Sequence, residues 1–306
     1  MGNPTPQPGI FALGTRYHHH LEFDVDDDVA TAAVVAALQH GLDSAPVSGG
    51  AANVVVGFGP ALWQRLRDGR ELPGGFEDFA EVSGRDGHRA PATQHDIWIW
   101  VHGGGVDGVL DAAVAVSAAL DAVASLAQEC ASFVYHDSRD LTGFVDGTAN
   151  PAPVEAPAVA CIAPGAPGAG GSHVLTQRWV HDLASFEALP VADQERVFGR
   201  TKAASDAIPD RPTTSHISKA EIHDADGEER PIYRRSTAYG DVGERGLYFV
   251  AFSAEQDRFD EMLAQMYGTG GRPERDRLLD FSRAVSGSYY FAPSLDDLIA
   301  VGIVPA

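Results

Sequence analysis

The chain has 306 residues, 44% of them apolar, which suits one large domain or two of about 150 residues and is too much for a disordered chain. Acidic residues number 43 against 22 Lys plus Arg, and the resulting charge of −21 argues against nucleic acid or an anionic membrane as a main partner and favours cationic or neutral small substrates. Two cysteines, Cys130 and Cys161, make neither a disulfide framework nor a Cys-based metal site; with no signal-like N-terminus and no apolar run of membrane length, the expectation is a cytoplasmic chain.

Residues 10–23 read as a strand that contains His18-His19-His20, and Asp26-Asp27-Asp28 opens a helix running through Val34 and Leu38. A short strand is expected at Val54–Gly59, followed by a helix after Pro60, where proline suits a first turn. Ile97–Val101 is strongly β-prone, residues 107–130 have helical periodicity, and Ser132 begins another strand. That order, β-α-β-β-α-β, is the ferredoxin-like plan. Residues 151–171, rich in Pro, Ala and Gly, read as a linker between an N-terminal unit, 1–150, and a C-terminal unit, 172–306.

The second half opens with the alternating strand Ser172–Val180 and continues with helices at 182–189 and 191–198. Strands are expected at 219–223, 231–235 and 246–252, helices at 255–267 and 274–284, and a late strand at 288–291. A second ferredoxin-like unit fits, with an insertion that carries His216. The predicted fold is therefore α+β, two ferredoxin-like domains in tandem with antiparallel sheets.

Three places carry chemistry. In Gly143-Phe144-Val145-Asp146-Gly147-Thr148-Ala149-Asn150-Pro151 a carboxylate lies between glycines, with Thr148 and Asn150 adding polar groups. A lone Asp in such a turn is most often structural; at the junction of two units it also suits a proton carrier. His216, one of 12 histidines, follows Thr214-Ser215; it reads as a capping residue or as the single protein ligand of a haem iron. Such a ligand needs an acidic partner on its other ring nitrogen, and Asp276 is the candidate. Arg234 and Arg235 are strand neighbours that face opposite ways, so either both are solubilising residues of an edge strand or one meets a pocket and the other solvent. Arg234 shares parity with Ile232 and Ser236, and its permanent charge suits a group that stabilises developing negative charge. Leu247 and Phe249 would wall the pocket or simply pack the core; Arg200 and Lys202 would meet haem propionates or simply neutralise local charge. Acid/base, axial ligand and fixed cation are the parts of a haem peroxidase. No complete Rossmann, Walker, HExxH or paired-cysteine pattern competes.

The ordered set formed by Asp137–Pro151, His181-Asp182-Leu183, Phe198–Lys202, Ser215–Ser218, Arg234–Gly240, Gly246–Phe249 and Gly287–Leu295 resembles the dye-decolorising peroxidase family in its bacterial class B form. The resemblance spans most of the chain. It implies haem b held mainly by the second domain, His216 as proximal ligand, and Asp146 and Arg234 on the distal side. Thr148, Asn150, Arg200, Lys202, Leu247, Phe249 and Asp276 would surround the cofactor, and Ser236 would stand where some class B members carry asparagine. The implied reaction reduces hydrogen peroxide and oxidises organic donors such as dyes and phenolics by one-electron steps through compound I, with Trp179 and nearby tyrosines as electron relays. Porphyrin or haem handling is the alternative. A homo-oligomer is expected, and the absence of a Gly/Ser-Leu-rich tail near Val301–Ala306 argues against packaging in a protein nanocompartment.

Overall fold

The computed structural model describes residues 4–45 and 52–304; residues 305–306, part of the C-terminal stretch weighed above as a docking tail, lie outside it. The first half supplies β1 (Tyr17–Val25), α1 (Thr31–Ser44), β2 (Ala52–Phe58), α2 (Pro60–Arg67), the small hairpin β3 (Val82–Ser83) and β4 (Arg89–Ala90), β5 (Ile97–Gly103), α3 (Val106–Leu120) and β6 (Ala124–Phe133). The second supplies α4 (Ala156–Ala160), β7 (Ser172–His181), α5 (Leu183–Glu187), α6 (Val191–Phe198), α7 (His216–Ala220), β8 (Tyr233–Arg234), β9 (Thr237–Gly240), β10 (Arg245–Ser253), α8 (Asp257–Tyr267), β11 (Ser282–Ala284), β12 (Ser288–Ala292) and α9 (Leu295–Ala300).

Each half forms an antiparallel ferredoxin-like sheet, in the order β2-β5-β1-β6 and β12-β7-β10-β9. The two sheets join edge to edge, β6 to β9 through Phe133 and Ala238, and β12 to β2 through Phe291 and Phe58. With β7 also paired to β10 along eight positions, the strands close into a barrel and leave few free edges. Short β8 and β11 extend the pairing of β10 and β7.

Closure and the covering helices give β5 two buried faces, which explains why Ile97–Val101 is apolar at every position. Ile97, Ile99 and Val101 face outward under α1 and α3, whereas Trp98 and Trp100 face the barrel interior. Along β10, Tyr248, Val250 and Phe252 point inward, and Leu247, Phe249 and Ala251 point outward toward Phe259 and Met262 of α8. The interior also holds a carboxylate: Glu22 accepts hydrogen bonds from Tyr248 at 2.7 Å, from Tyr290 at 2.5 Å and from the Gln128 amide.

Several elements differ from the sequence expectation. The helix expected over 107–130 stops at Leu120, and Ala124–Phe133 forms a strand along the whole of β1. Its Ala-rich composition favours helix, but pairing with β1 outweighs so weak a preference. The acidic run 26–28 is a turn before α1, which begins at Thr31. Residues 274–284 hold a 3-10 turn, Arg277–Asp280, capped by the Asp276 side chain, and then β11. The expected strand 219–223 is replaced by the end of α7, and the segment 151–171 is anchored through the buried Ala156 and Ala160.

Candidate active site

A pocket lies on the outer face of the second sheet, between β7 and β10 on one side and α7 and α8 on the other. It encompasses about 1430 Å³ of space, counting its open mouth. The walls are mostly apolar, with Leu247 and Phe249 from β10, Ile217 from α7 and Met262 and Met266 from α8. Asp146, His216, Arg234, Arg200 and Thr148 also line it.

His216 is the first residue of α7, directly after the buried Ser215. Its Nδ1 lies 2.7 Å from Asp276 Oδ2, and the Asp276 carboxylate is fully buried. The other oxygen of Asp276 accepts the Leu278 amide at 2.8 Å, so capping the 3-10 turn fixes the carboxylate that orients the imidazole. That arrangement leaves Nε2 to the pocket. Among the described residues no group of three His, Cys, Asp or Glu side chains is placed to hold a bare metal ion. One oriented imidazole in a pocket with apolar walls suits a metal that brings its own macrocycle.

Asp146 sits on a tightly tied loop. The Arg139 guanidinium donates to the carbonyls of Gly143 and Lys202, both at 2.8 Å, and the Asp146 amide donates to Ser138. Gly143 and Gly147 adopt φ of +88° and +76°, values that other residues reach only with strain, which accounts for both glycines around the carboxylate. What remains accessible of Asp146 opens on the cavity; the protein around it is dense, and burial raises its carboxyl pKa above the ordinary value. The nearby Arg234 opposes that rise and the negative Asp140 adds to it.

Asp140 itself is an ion-pair anchor that inspection of the sequence missed. His181 Nε2 lies 3.0 Å from Asp140 Oδ1, and His181 Nδ1 lies 2.8 Å from Ser282 Oγ. Burial works against the ionised carboxyl, but His181 and two hydrogen bonds from Thr142 overcome it and hold Asp140 at about 2. The relay ties the Asp146 loop to β7 and β11. Asp140 and His181 stood in the stretches 137–151 and 181–183 and Ser282 in neither, and their partnership joins positions far apart in sequence.

Arg234 comes from β8, and its Nε is buried without an acceptor. Its backbone is held by a side chain: Asn150 Nδ2 donates to the Arg234 carbonyl at 2.8 Å and Asn150 Oδ1 accepts the Arg234 amide at 2.9 Å. Asn150 therefore acts as a strand for Arg234 and does not line the pocket. Lys202 does not line it either, because its ammonium donates to Gln194 at 2.7 Å and lies over the Phe144 and Phe186 rings. Arg200 does reach the pocket, steadied by the Ser205 carbonyl at 2.9 Å. Arg235, expected in solvent, turns inward instead; it donates to the carbonyls of Ile10 and Ala12 and lies 5.1 Å from the Trp100 ring centroid. Trp179 lines the pocket with the Tyr267 ring 6.5 Å away, and both are buried.

A second cavity, about 1410 Å³ with its mouth, opens beyond Asp146 and Arg234. Both residues and Leu247 border the two cavities, whereas His216 borders only the first. Ser236 faces the second, with its Oγ accepting the Val250 amide at 3.2 Å.

Residues 7–133 match the family described as Dyp-type peroxidase, N-terminal, and residues 137–297 match Dyp-type peroxidase, C-terminal. The chain is 35% identical over 303 residues to a dye-decolorizing peroxidase of Rhodococcus erythropolis, covering 96% of this chain and 88% of that protein. The solved structure of DyPB from Rhodococcus jostii superposes with a TM-score of 0.91 at 32% identity, covering 99% of this chain and all of that one. An aspartate-to-histidine variant of the R. jostii protein, solved in complex with heme, gives a TM-score of 0.91 at 31% identity over 98% of this chain and 100% of that chain.

Proposed function

The chain belongs to the Dyp-type peroxidase family, and on that premise we propose that His216 is the protein ligand of its haem iron and that Asp146 and Arg234 manage peroxide on the opposite face. The protein is a haem-dependent peroxidase that reduces hydrogen peroxide while oxidising organic donors, with haem b as its cofactor. When bound, the haem supplies the redox chemistry of that reaction. The observation that carries the division of labour is that Asp146 and Arg234 border both cavities while His216 borders one.

The residues fit the cofactor. The Asp276 carboxylate would strengthen the imidazole as a donor, Leu247 and Phe249 would flank the ring system, and Arg200 would answer a propionate near the mouth. Asp146, in its ionised form, would take the proton from the inner oxygen of peroxide and return it to the departing outer oxygen. Arg234 would stabilise the negative charge that develops as the O–O bond breaks, and its position is fixed beforehand by Asn150. A carrier that only stores or transfers haem has use for His216 and the apolar walls but none for the Asp146–Arg234 pair.

Among the described residues no helix is long and apolar enough to cross a membrane. Cys130 and Cys161 are both unbonded, which supports a reducing, cytoplasmic setting. We divide the chain as 1–150 and 172–306, with the loop that carries Asp146 closing the first unit over the pocket of the second.

The test is stopped-flow absorbance of haem-loaded protein mixed with stoichiometric peroxide, beside His216→Ala, Asp146→Asn and Arg234→Leu. Slower reaction in the Asp146 or Arg234 variant with haem retained supports the peroxide-side roles, and unchanged rates in both would remove them. Full haem occupancy in His216→Ala, with an unaltered absorbance spectrum, would remove the ligand assignment.

A further inference from the structure

The cavity on the far side of Asp146 and Arg234 has a charge opposite to that of the protein. The chain carries −21 overall, yet the residues bordering this cavity include Arg16, Arg139, Arg234 and Arg235 and a single carboxylate, Asp146. Among the described residues, Arg16, Arg234 and Arg235 form no salt bridge, and Arg139 pairs only with the exposed Asp137, at 2.9 Å. Arg235 spends its donors on backbone carbonyls, which leaves its charge in place without a counterion. The cavity also reaches His18, and burial together with the Arg235 charge lowers the pKa of that imidazole to about 4. The same two causes, with the charge of His18, push the neighbouring His102 to about 2. Both imidazoles are thus neutral at pH 7, and the four arginines outnumber the one carboxylate, with His136 also on the border.

We propose that this cavity is a binding site for a compact monovalent anion, of the class of bromide, nitrite or formate. Guanidinium groups that outnumber the carboxylates around a recess concentrate such an ion locally. The acidic surface elsewhere does not cancel the effect, because charges more than about 8 Å away through solvent are screened at physiological salt. Two of the arginines retain donors for the ion: Arg16 is exposed and makes no side-chain hydrogen bond, and Arg234 Nε is buried with no acceptor. The single carboxylate belongs to the proton-handling group, so an anion here borders Asp146 and competes with peroxide for the approach to it. Placing the ion on the peroxide side rests on the roles proposed above for Asp146 and Arg234; the existence of the site does not.

The test is bromide quadrupolar line broadening on haem-loaded protein at constant ionic strength, for the parent, Arg16→Glu, Arg16→Gln and an exposed control, Arg70→Glu. The expected result is saturable broadening in the parent and in Arg70→Glu, displaced by formate. Affinity should fall roughly tenfold in Arg16→Glu, with Arg16→Gln between the two. Broadening that never saturates, or that is equal in the parent and Arg16→Glu, overturns the site. A second reading uses peroxide: formate should slow the parent's reaction and lose most of that effect in Arg16→Glu. Bromide binding that depends on Arg16 while Asp146→Asn and Arg234→Leu react normally with peroxide would keep the anion site and sink the peroxide-side roles.

Discussion

Asn150 hydrogen-bonds both backbone atoms of Arg234, its Nδ2 to the carbonyl at 2.8 Å and its Oδ1 to the amide at 2.9 Å. The residues are 84 positions apart, and a side-chain amide stands in for the strand that β8 lacks on that side. Arg234 thus presents its guanidinium from a backbone held by the same loop that carries Asp146.

Asn150→Ala removes both bonds, each worth about 1 kcal/mol net. The expected result is a peroxide reaction slowed by roughly tenfold, with haem affinity and far-UV circular dichroism close to the parent, since Asn150 does not line the pocket that His216 lines. An equal loss of haem affinity would mean that Asn150 contacts the cofactor and does not position Arg234.

Asp276 orients His216 from behind, fully buried and 2.7 Å from Nδ1. Asp276→Asn keeps an oxygen for the Leu278 amide but removes the negative charge beside the imidazole. With His216 as the proposed iron ligand, haem affinity or peroxide reactivity should fall by about 10–100-fold, as is usual when the partner of a ligating histidine is lost. The reduction potential should rise, because a less basic imidazole stabilises ferric iron less; spectroelectrochemistry reads that shift, and a potential equal to the parent's would show that the carboxylate only holds the turn.

Burial raises the Asp146 pKa, and only the ionised form accepts a proton. Peroxide reactivity should therefore fall on the acid side at a higher pH than an ordinary aspartate would give. Asp140 contributes to the rise through its charge, so Asp140→Asn should move that acid limb to lower pH. The signs are opposite for stability. Asp140 is depressed in the folded state to about 2, so its contribution is present above the unfolded value near 3.8 and is lost as pH falls through that window. The shift corresponds to about 2 kcal/mol. Asp146→Asn, by contrast, should raise the melting temperature at pH 7, since it removes a charge that burial disfavours. Acid-limb and thermal-melt measurements on the two variants check both directions.

Glu22 accepts three hydrogen bonds inside the barrel, two from the buried phenols Tyr248 and Tyr290. Glu22→Leu strands these donors and should cost about 3 kcal/mol, read as a lower denaturation midpoint. The pocket lined by His216 lies on the other face of β10, so peroxide reactivity of the folded fraction should stay near the parent level. A midpoint equal to the parent's would mean that the phenols find other acceptors.

The continuous apolar, β-prone runs Gly246–Phe252 and Ile97–Val101 made two strands legible, because a strand buried on both faces leaves a short unbroken apolar run in the sequence. The doubled β-α-β-β-α-β order carried the fold class, and the stretches around Asp146, His216 and Arg234 carried the family. Overall charge did not reveal the local one: the chain carries −21, whereas the cavity beside Asp146 gathers Arg16, Arg139, Arg234 and Arg235 from three distant segments. Element type failed where tertiary pairing outweighed composition, as in Ala124–Phe133, which β1 recruits as a strand.

What the sequence determined by itself was local: backbone period, glycine at positive φ around Asp146, and the residue types that haem chemistry requires. What tertiary structure decided was partnership. Asn150 with Arg234, His181 with Asp140, Arg235 with Ile10 and Ala12, and the withdrawal of Lys202 to Gln194 each join positions that no local pattern links. Hydrogen bonds and ion pairs act over about 3 Å in space, and only closure of the barrel brings these groups within that range.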